Sequence, residues 1–440
     1  MLTKITKDSL YVIKNPSYLR YAKLFTNIEK STLDNIKAFG LPLEQESNGN
    51  QNKVLRESLR GTEAVFRNNN KSIYVNRISS ACEACQTGSD SYTTFISMKC
   101  HRNCYFCFNE NEDSYTHYLN NQRQATDELA SLLEQGYNLK HIALTGGEPL
   151  LFPEEAIQYF RFAKEKTPES YTRLYTAGDL LTEDILKQLQ EASLKEIRFS
   201  IKMEDSPQKR KHILGKIKLA KSYIPNVLVE MPVIPGTLEE MKELLIELDR
   251  IGVFGINLLE FCFPLKNPKP FIDRGFTLKN PPYEMYYNYW YAGGLAIAKS
   301  EEHCLELLKF ATEEKLNLGV HYCSLENKFT GQVYQQNYDQ KLGKTYSFSN
   351  QDYYFKTAKI FGKDIRKAIS IFEQNHVPYE ENQQYDFIQF PVESIPYLQD
   401  TKVEIAVVSC IVEFENNERF IKEVSVDWTT PALFQLEDIN

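Results

Sequence analysis

No stretch of this 440-residue sequence approaches the roughly 18 uncharged apolar residues that a membrane span needs. Its start, MLTKITKDSLYVIKNP, has no apolar core of the kind that marks a secretion signal. A chain that stays in the cytoplasm is expected. Positive charge is not in excess: 51 Lys and Arg against 59 Asp and Glu give a formal net charge of -8. No overall field therefore draws the protein to phosphate backbones or anionic lipid, and neither nucleic acid nor membrane is expected as a partner. Low-complexity tracts are missing too. The composition is 42% hydrophobic and 25% charged, with 12% aromatic residues. That is too apolar and too aromatic for a disordered chain.

Cysteine is the residue type whose distribution carries information. Nine is an odd number, and five of the nine lie between Cys82 and Cys107. With no secretion signal, a disulfide framework is the wrong reading. Close-set thiols in a reducing compartment point to a metal or an iron–sulfur centre, because thiolate is the soft ligand that these require.

The length suits one large α/β domain with smaller additions, at about 100 to 200 residues each. A helical stretch over Thr26–Phe39 leads into the polar run Gln45–Lys53, which reads as a linker. From about Ser91 the pattern alternates strand and helix six times. Strands are expected at 93–97, 141–145, 173–176, 196–201, 227–234 and 255–260. Helices are expected at 126–135, 153–166, 182–192, 207–223 and 238–250. Such alternation builds parallel strands with right-handed crossovers, and six repeats suit an α/β, partial (β/α)6 TIM-like barrel. A helix over 301–316 and a further strand at GVHYCS follow. The last ninety or so residues read as a small α+β domain, with a strand ending at Phe361, a helix near 364–375 and a hairpin from Val403 to Trp428 turning at Asn416 and Asn417. The expected division is an N-terminal extension over 1–80, the barrel over 81–330 and the C-terminal domain over 331–440.

Directly after the first barrel strand stands Cys100-His-Arg-Asn-Cys104-Tyr-Phe-Cys107. Three thiolates can hold three irons of a four-iron cube and leave the fourth iron free for another ligand. The plain alternative is a zinc knuckle completed by His101 or by a distant cysteine. Directly after the second strand, at the same barrel end, stands Thr145-Gly146-Gly147-Glu148-Pro149-Leu150. Its glycines let a ligand approach the backbone, and the strand-edge carbonyls and the Glu148 carboxylate can accept bonds from a ligand ammonium. Alone, the Gly-Gly-Glu-Pro turn is weak evidence, but one β/α unit after the three-cysteine loop it makes a joint pattern that chance rarely supplies.

CxxxCxxC with Phe106 before the last cysteine, followed by LTGGEPLL, is similar to the radical SAM superfamily. The resemblance covers roughly residues 90 to 262. It implies a 4Fe-4S cluster on Cys100, Cys104 and Cys107, whose open iron takes the amino and carboxylate groups of S-adenosyl-L-methionine. It also implies that Gly146, Gly147 and Glu148 contact the methionyl ammonium and that Phe106 lies near the adenine. Ser200 and Thr176, ending neighbouring strands, are expected near the ribose or the methionyl carboxylate, although a strand Ser or Thr is more often structural. An electron donor such as flavodoxin or ferredoxin, and hydrogen abstraction from a substrate by a 5'-deoxyadenosyl radical, are likewise implied. A weaker resemblance, carried by CEACQTG, Arg274-Gly-Phe276 and Val320–Ser324, is to an uncharacterised group related to pyruvate formate-lyase activating enzymes. No multi-cysteine region follows Cys323, so a SPASM-type auxiliary domain is not expected.

Cys82, Cys85 and Cys323 form a candidate second site for an iron–sulfur cluster or zinc, with Cys262 or His321 as a candidate fourth ligand. Against it stands the reading of these thiols as an inert turn and a buried small residue. Cys304 and Cys410 read as core. Glu230 and Glu260 could face a substrate or be salt-bridged, and the tyrosine-rich tract 283–291 could line a pocket, with packing as the default. The substrate stays open between a peptide or protein, which the flanking segments could grip, and a small metabolite or nucleoside. A non-catalytic, zinc-stabilised binding protein is the rival from another class.

Overall fold

The computed structural model describes residues 1–45, 49–286 and 293–439. The chain divides into two compact units. One holds residues 40–283 and 289–329; the other holds 1–39, 284–288 and 330–440.

The larger unit is built on a nine-stranded sheet. Its strands are β1 (Val65–Arg67), β2 (Ser72–Val75), β3 (Ser91–Phe95), β4 (His141–Thr145), β5 (Tyr171–Thr176), β6 (Glu196–Phe199), β7 (Asn226–Val233), β8 (Gly255–Glu260) and β9 (Gly319–Cys323). They lie in the order β1-β2-β9-β8-β7-β6-β5-β4-β3. From β3 to β9 every pairing is parallel, whereas β2 runs antiparallel to both β9 and β1. The expected six-strand barrel is thus extended by β9 to seven parallel strands, and the sheet stays open, since β1 and β3 end it without pairing to each other.

Helices α3 (Ala125–Glu134), α4 (Pro153–Lys166), α5 (Glu183–Glu191), α6 (Pro207–Ala220), α7 (Leu238–Ile251) and α8 (Ser300–Glu313) form where the apolar spacing places them, whereas α1 (Gly49–Arg60), α2 (Ser80–Ala84) and α9 (Leu325–Asn337), most of which belongs to the second unit, carry no such expectation. Their starts follow local chemistry. Thr182 accepts from the Ile185 amide and Ser206 from the Lys209 amide, while Pro153 and Pro207 open α4 and α6. Gly252, at φ 73°, closes α7. Helices α4 to α7 bury one face each in the core beside the sheet, through Ile157, Phe160, Leu186, Leu189, Ile217 and Leu245 among others. The polar run expected as a linker is helical from Gly49 onward, where Leu55 and Leu59 bury against the sheet, and its residues 46–48 lie outside the described residues.

In the second unit Phe355–Phe361, Phe387–Phe390, Ile405–Glu415 and Glu418–Thr429 form the centre of an antiparallel sheet. The expected hairpin is present, turning at Asn416 and Asn417, both at positive φ. The units divide at 329/330, next to the boundary expected at 330, whereas residues 1–80 are shared between them, with the break at 39/40. Thr3 and Lys4 pair with Trp428 and Asp427, and the helix Pro16–Ala38 buries Tyr18, Tyr21, Ala22 and Phe25 on this sheet. Residues 65–75 instead complete the larger sheet. Among the described residues no helix is long and apolar enough to cross a membrane.

Ile197 in β6 is fully buried in the main core. Replacing it with alanine is expected to lower stability by about 2–5 kcal/mol, measured by denaturant unfolding. A loss below ~1 kcal/mol would mean that the core collapses around the deletion.

Candidate functional site

Parallel pairing of Phe95 with Thr145 sets β3 and β4 in register, so the two turns that follow them run side by side. The Gly147 amide donates to the Ser97 carbonyl at 3.0 Å and the Glu148 amide to the Lys99 carbonyl at 2.9 Å. The glycines are required by space. Gly146 adopts φ 106°, where a Cβ would lie 2.5 Å from that of Phe95, and a Cβ on Gly147 would stand 2.1 Å from the Lys99 carbonyl oxygen. The GGE turn therefore holds the segment from which the cysteine loop departs.

Glu148 is 2% exposed. Its Oε1 accepts from the Leu150 amide at 3.1 Å and the Thr176 hydroxyl at 2.8 Å, and its Oε2 accepts from the Ala177 amide at 2.7 Å. Burial raises this carboxyl above its ordinary value, against the pull of those donors. The side chain thus ties β4 to the end of β5, and most of its acceptor capacity is used within the protein. The Thr176 hydroxyl is committed to the same carboxylate and accepts from the Gly178 amide at 3.0 Å. Ser200, past the end of β6, is within 3.5 Å of the Lys202 ammonium.

The cysteine loop is fastened at a second point, which sequence reasoning did not find. Arg102, its side chain 7% exposed, meets Asp179 through Nε at 2.9 Å and Nη2 at 3.1 Å. Its Nη1 meets both oxygens of Asp205 at 2.9 and 3.0 Å. Asp179 lies beyond the end of β5 and Asp205 before α6, so one guanidinium joins three loops at one barrel end. Asp179 also bonds His101 Nε2 at 2.9 Å, and these donors and charges hold its carboxyl below its ordinary value despite burial. The signal available in sequence was only that acidic residues follow strand ends.

Cys100, Cys104 and Cys107 are all free thiols, exposed or half-buried. The Cys107 amide donates to the Cys104 carbonyl at 3.1 Å, which turns the loop back on itself. Burial raises Cys100 and Cys107 above the ordinary thiol value, and Cys104 raises each further. Phe106 packs edge-on to Phe261 at 5.6 Å, with the Lys202 ammonium 5.4 Å above its ring. Arg274 lies 4.1 Å over the Tyr105 ring.

Among the described residues no three His, Cys, Asp or Glu side chains are placed to hold a single metal ion. His101, the side chain expected to complete a zinc knuckle, is engaged with Asp179.

The second thiol group lies inside the barrel. Cys82 Sγ accepts from Arg198 Nη2 at 3.3 Å and from Asn257 Nδ2 at 3.2 Å. Cys323 Sγ accepts from Asn327 Nδ2 at 3.3 Å. Chain closure does bring Cys323 into electrostatic reach of Cys82 and Cys85, and burial pushes its thiol up to about 12. His321 is bonded through both ring nitrogens, to Ser72 Oγ at 2.9 Å and Asn257 Oδ1 at 3.0 Å, which leaves no lone pair for a metal. Burial lowers this imidazole to about 3, so it stays neutral. Glu230 is paired with Arg198 at 2.5 Å and accepts from Asn257 at 2.7 Å. Glu260 meets Lys279 at 3.3 Å and accepts from the Leu325 amide at 2.9 Å. Both carboxylates are thus engaged structurally. Cys304 and Cys410 are buried. Of the tyrosine-rich tract, Tyr283 is buried with its hydroxyl on the Gly294 carbonyl, and residues 287–291 lie outside the described residues.

Residues 94–248 match the radical SAM superfamily. A relative from Methanocaldococcus jannaschii, named as a glycyl-radical enzyme activating enzyme, is 28% identical over 315 residues, 69% of this chain and 80% of the relative. Solved structures with a similar arrangement include Streptococcus suis SuiB bound to S-adenosylmethionine, at 13% identity and a TM-score of 0.38 over 58% of this chain. This chain spans about half, 52%, of that SuiB chain. Another is native anSMEcpe with bound AdoMet and Cp18Cys peptide, at 19% identity and a TM-score of 0.32 over 41% of this chain and 53% of that one.

Gly147→Ala is expected to cost about 1–3 kcal/mol, because the Cβ meets backbone that cannot turn aside. Thermal and denaturant unfolding check this; an unchanged stability would show that the two turns part freely.

Proposed function

We propose that this chain, a radical SAM enzyme by the domain that it carries over residues 94–248, holds a 4Fe-4S cluster on Cys100, Cys104 and Cys107 and abstracts hydrogen from a peptide or protein substrate. The observation that carries the site assignment is the paired-turn geometry, in which the GGE backbone holds the start of the three-thiol loop at the mouth of the barrel. When bound, the cluster and S-adenosyl-L-methionine supply one-electron cleavage of a sulfonium bond to a 5'-deoxyadenosyl radical.

The chain's own residues do the rest. The Arg102 clamp and the Gly147 and Glu148 amides fasten the three-thiol loop at two points and so fix its place at the strand ends. Glu148 acts through position: it braces β4 against β5 and so presents the Gly146 and Gly147 backbone to the methionyl ammonium. Phe106, held edge-on by Phe261, gives a flat apolar wall beside the loop for the adenine, and Ser200 offers a hydroxyl at the next strand end.

The choice of a peptide or protein substrate is supported by the activity named for the archaeal relative, an activating enzyme for a glycyl-radical protein. A flavodoxin or ferredoxin is the proposed electron donor. A second site on Cys82, Cys85 and Cys323, for an iron–sulfur cluster or zinc, belongs to the same reading, supported by the electrostatic reach of Cys323 to both other thiols.

The test is anaerobic reconstitution with iron and sulfide, then dithionite and S-adenosyl-L-methionine. Brown protein that forms 5'-deoxyadenosine is expected, and Cys104→Ala is expected to abolish product formation, a loss of at least about a hundredfold. Colourless protein, or an unimpaired Cys104→Ala variant, would contradict the assignment.

A further inference from the structure

Four thiols, of which Cys323 is buried, Cys82 and Cys262 are half-buried and Cys85 is exposed, lie near one lysine without an evident purpose. Cys323 ends β9 on the same face as His321, two residues away, and His321 is paired in register with Asn257 of β8. Asn257 in turn donates to Cys82. Cys85 stands one turn further along from Cys82 at the end of α2, and Cys262 follows the end of β8. Cys82, Cys85, Cys262 and Cys323 therefore approach the barrel interior from three elements.

The charges around them do not balance as free thiols. Arg198 lies between Glu196 and Glu230, at 2.5 Å from each, so these charges largely answer one another. Lys328, in the first turn of α9, lies within electrostatic reach of Cys323, Cys262, Cys85 and the already paired Glu230. Among the described residues no carboxylate lies within ion-pair distance of its ammonium. A lysine near a helix N-terminus opposes the helix dipole, and an ammonium among neutral thiols has nothing to offset its desolvation. The N–H donors aimed at sulfur, from Arg198, Asn257 and Asn327, suit an electron-rich sulfur far better than a neutral thiol.

We infer that Cys262 completes the second thiol group, so that Cys82, Cys85, Cys262 and Cys323 hold a second 4Fe-4S cluster whose negative charge is offset by Lys328. This rests on the proposed second site and deepens it. Four thiolates close every iron, so the site carries one electron at a time and offers no open iron to a ligand. Its place is consistent with that role. Phe108, the residue after Cys107, lies with its ring 5.9 Å from the Lys328 ammonium, which sets the two thiol groups on either side of one contact.

The test uses the full-length chain, reconstituted anaerobically with ferrous iron and sulfide. Wild type is expected to bind about eight irons and the triple variant C100A/C104A/C107A about four, with an iron–sulfur spectrum that S-adenosyl-L-methionine does not alter. Adding C262A to the triple variant is expected to bring iron to background. In the triple variant K328M is expected to keep the iron and to lower the midpoint potential, since a nearby positive charge favours the reduced form. Background iron in a folded triple variant, or iron unchanged by C262A, overturns the inference. Should the triple variant not fold, a wild-type content of about four irons overturns it equally. Failure of the first cluster is seen separately, as wild-type protein that binds iron and yields no 5'-deoxyadenosine.

Discussion

Two backbone hydrogen bonds, from the Gly147 amide to the Ser97 carbonyl and from the Glu148 amide to the Lys99 carbonyl, hold the rest of the site in place. They continue the parallel pairing of β3 and β4 past the ends of the strands, so that two loops which would otherwise splay apart run together for three residues more. Everything chemical in the site hangs from that continuation. The thiol loop begins at its last bonded residue, and the glycines are there because any Cβ would collide with Phe95 or with the Lys99 carbonyl. Glu148 then turns from the backbone pairing to brace the neighbouring strand, and Arg102 draws the far side of the loop down onto Asp179 and Asp205.

This constraint explains a division of labour between charge and shape. Arg102 is nearly buried, yet its guanidinium is answered by two aspartates in a forked geometry, so its desolvation is compensated and the loop gains a direction. Glu148 looks in sequence like a ligand-binding carboxylate. In the fold it receives three internal donors, and its effect on a bound ammonium passes through the backbone that it holds. The barrel interior follows the same rule, with Arg198 set between Glu196 and Glu230. Lys328 departs from it, and that departure singles the lysine out.

Much of this was legible in sequence where the signal was local. The parallel strands are short β-branched runs between amphipathic helices, and the thiol and Gly-Gly-Glu turns stand directly after strands, where barrel sites form. What was not legible depends on partners far apart in the chain. Thr3 and Lys4 find Trp428 and Asp427 across more than four hundred residues, so residues 1–39 belong with the C-terminal sheet and not with a separate extension. The antiparallel pairing of β2 with β9 places Ser72 beside His321, a contact with no periodic signature. The Arg102 clamp needs three loops to meet, and nothing in the spacing of Arg102, Asp179 and Asp205 announces it. Thr176 shows the converse: its expected place near a ligand is at the right strand end, but its hydroxyl is taken up by Glu148.

The central physical claim is that three thiolates leave one iron of the cube open. Electron paramagnetic resonance of the dithionite-reduced, reconstituted protein addresses this directly. A reduced-cluster signal whose g-values shift when S-adenosyl-L-methionine is added, and which is lost in Cys100→Ala, is the result that the account requires. A wild-type spectrum with no reduced-cluster component that responds to S-adenosyl-L-methionine would contradict it.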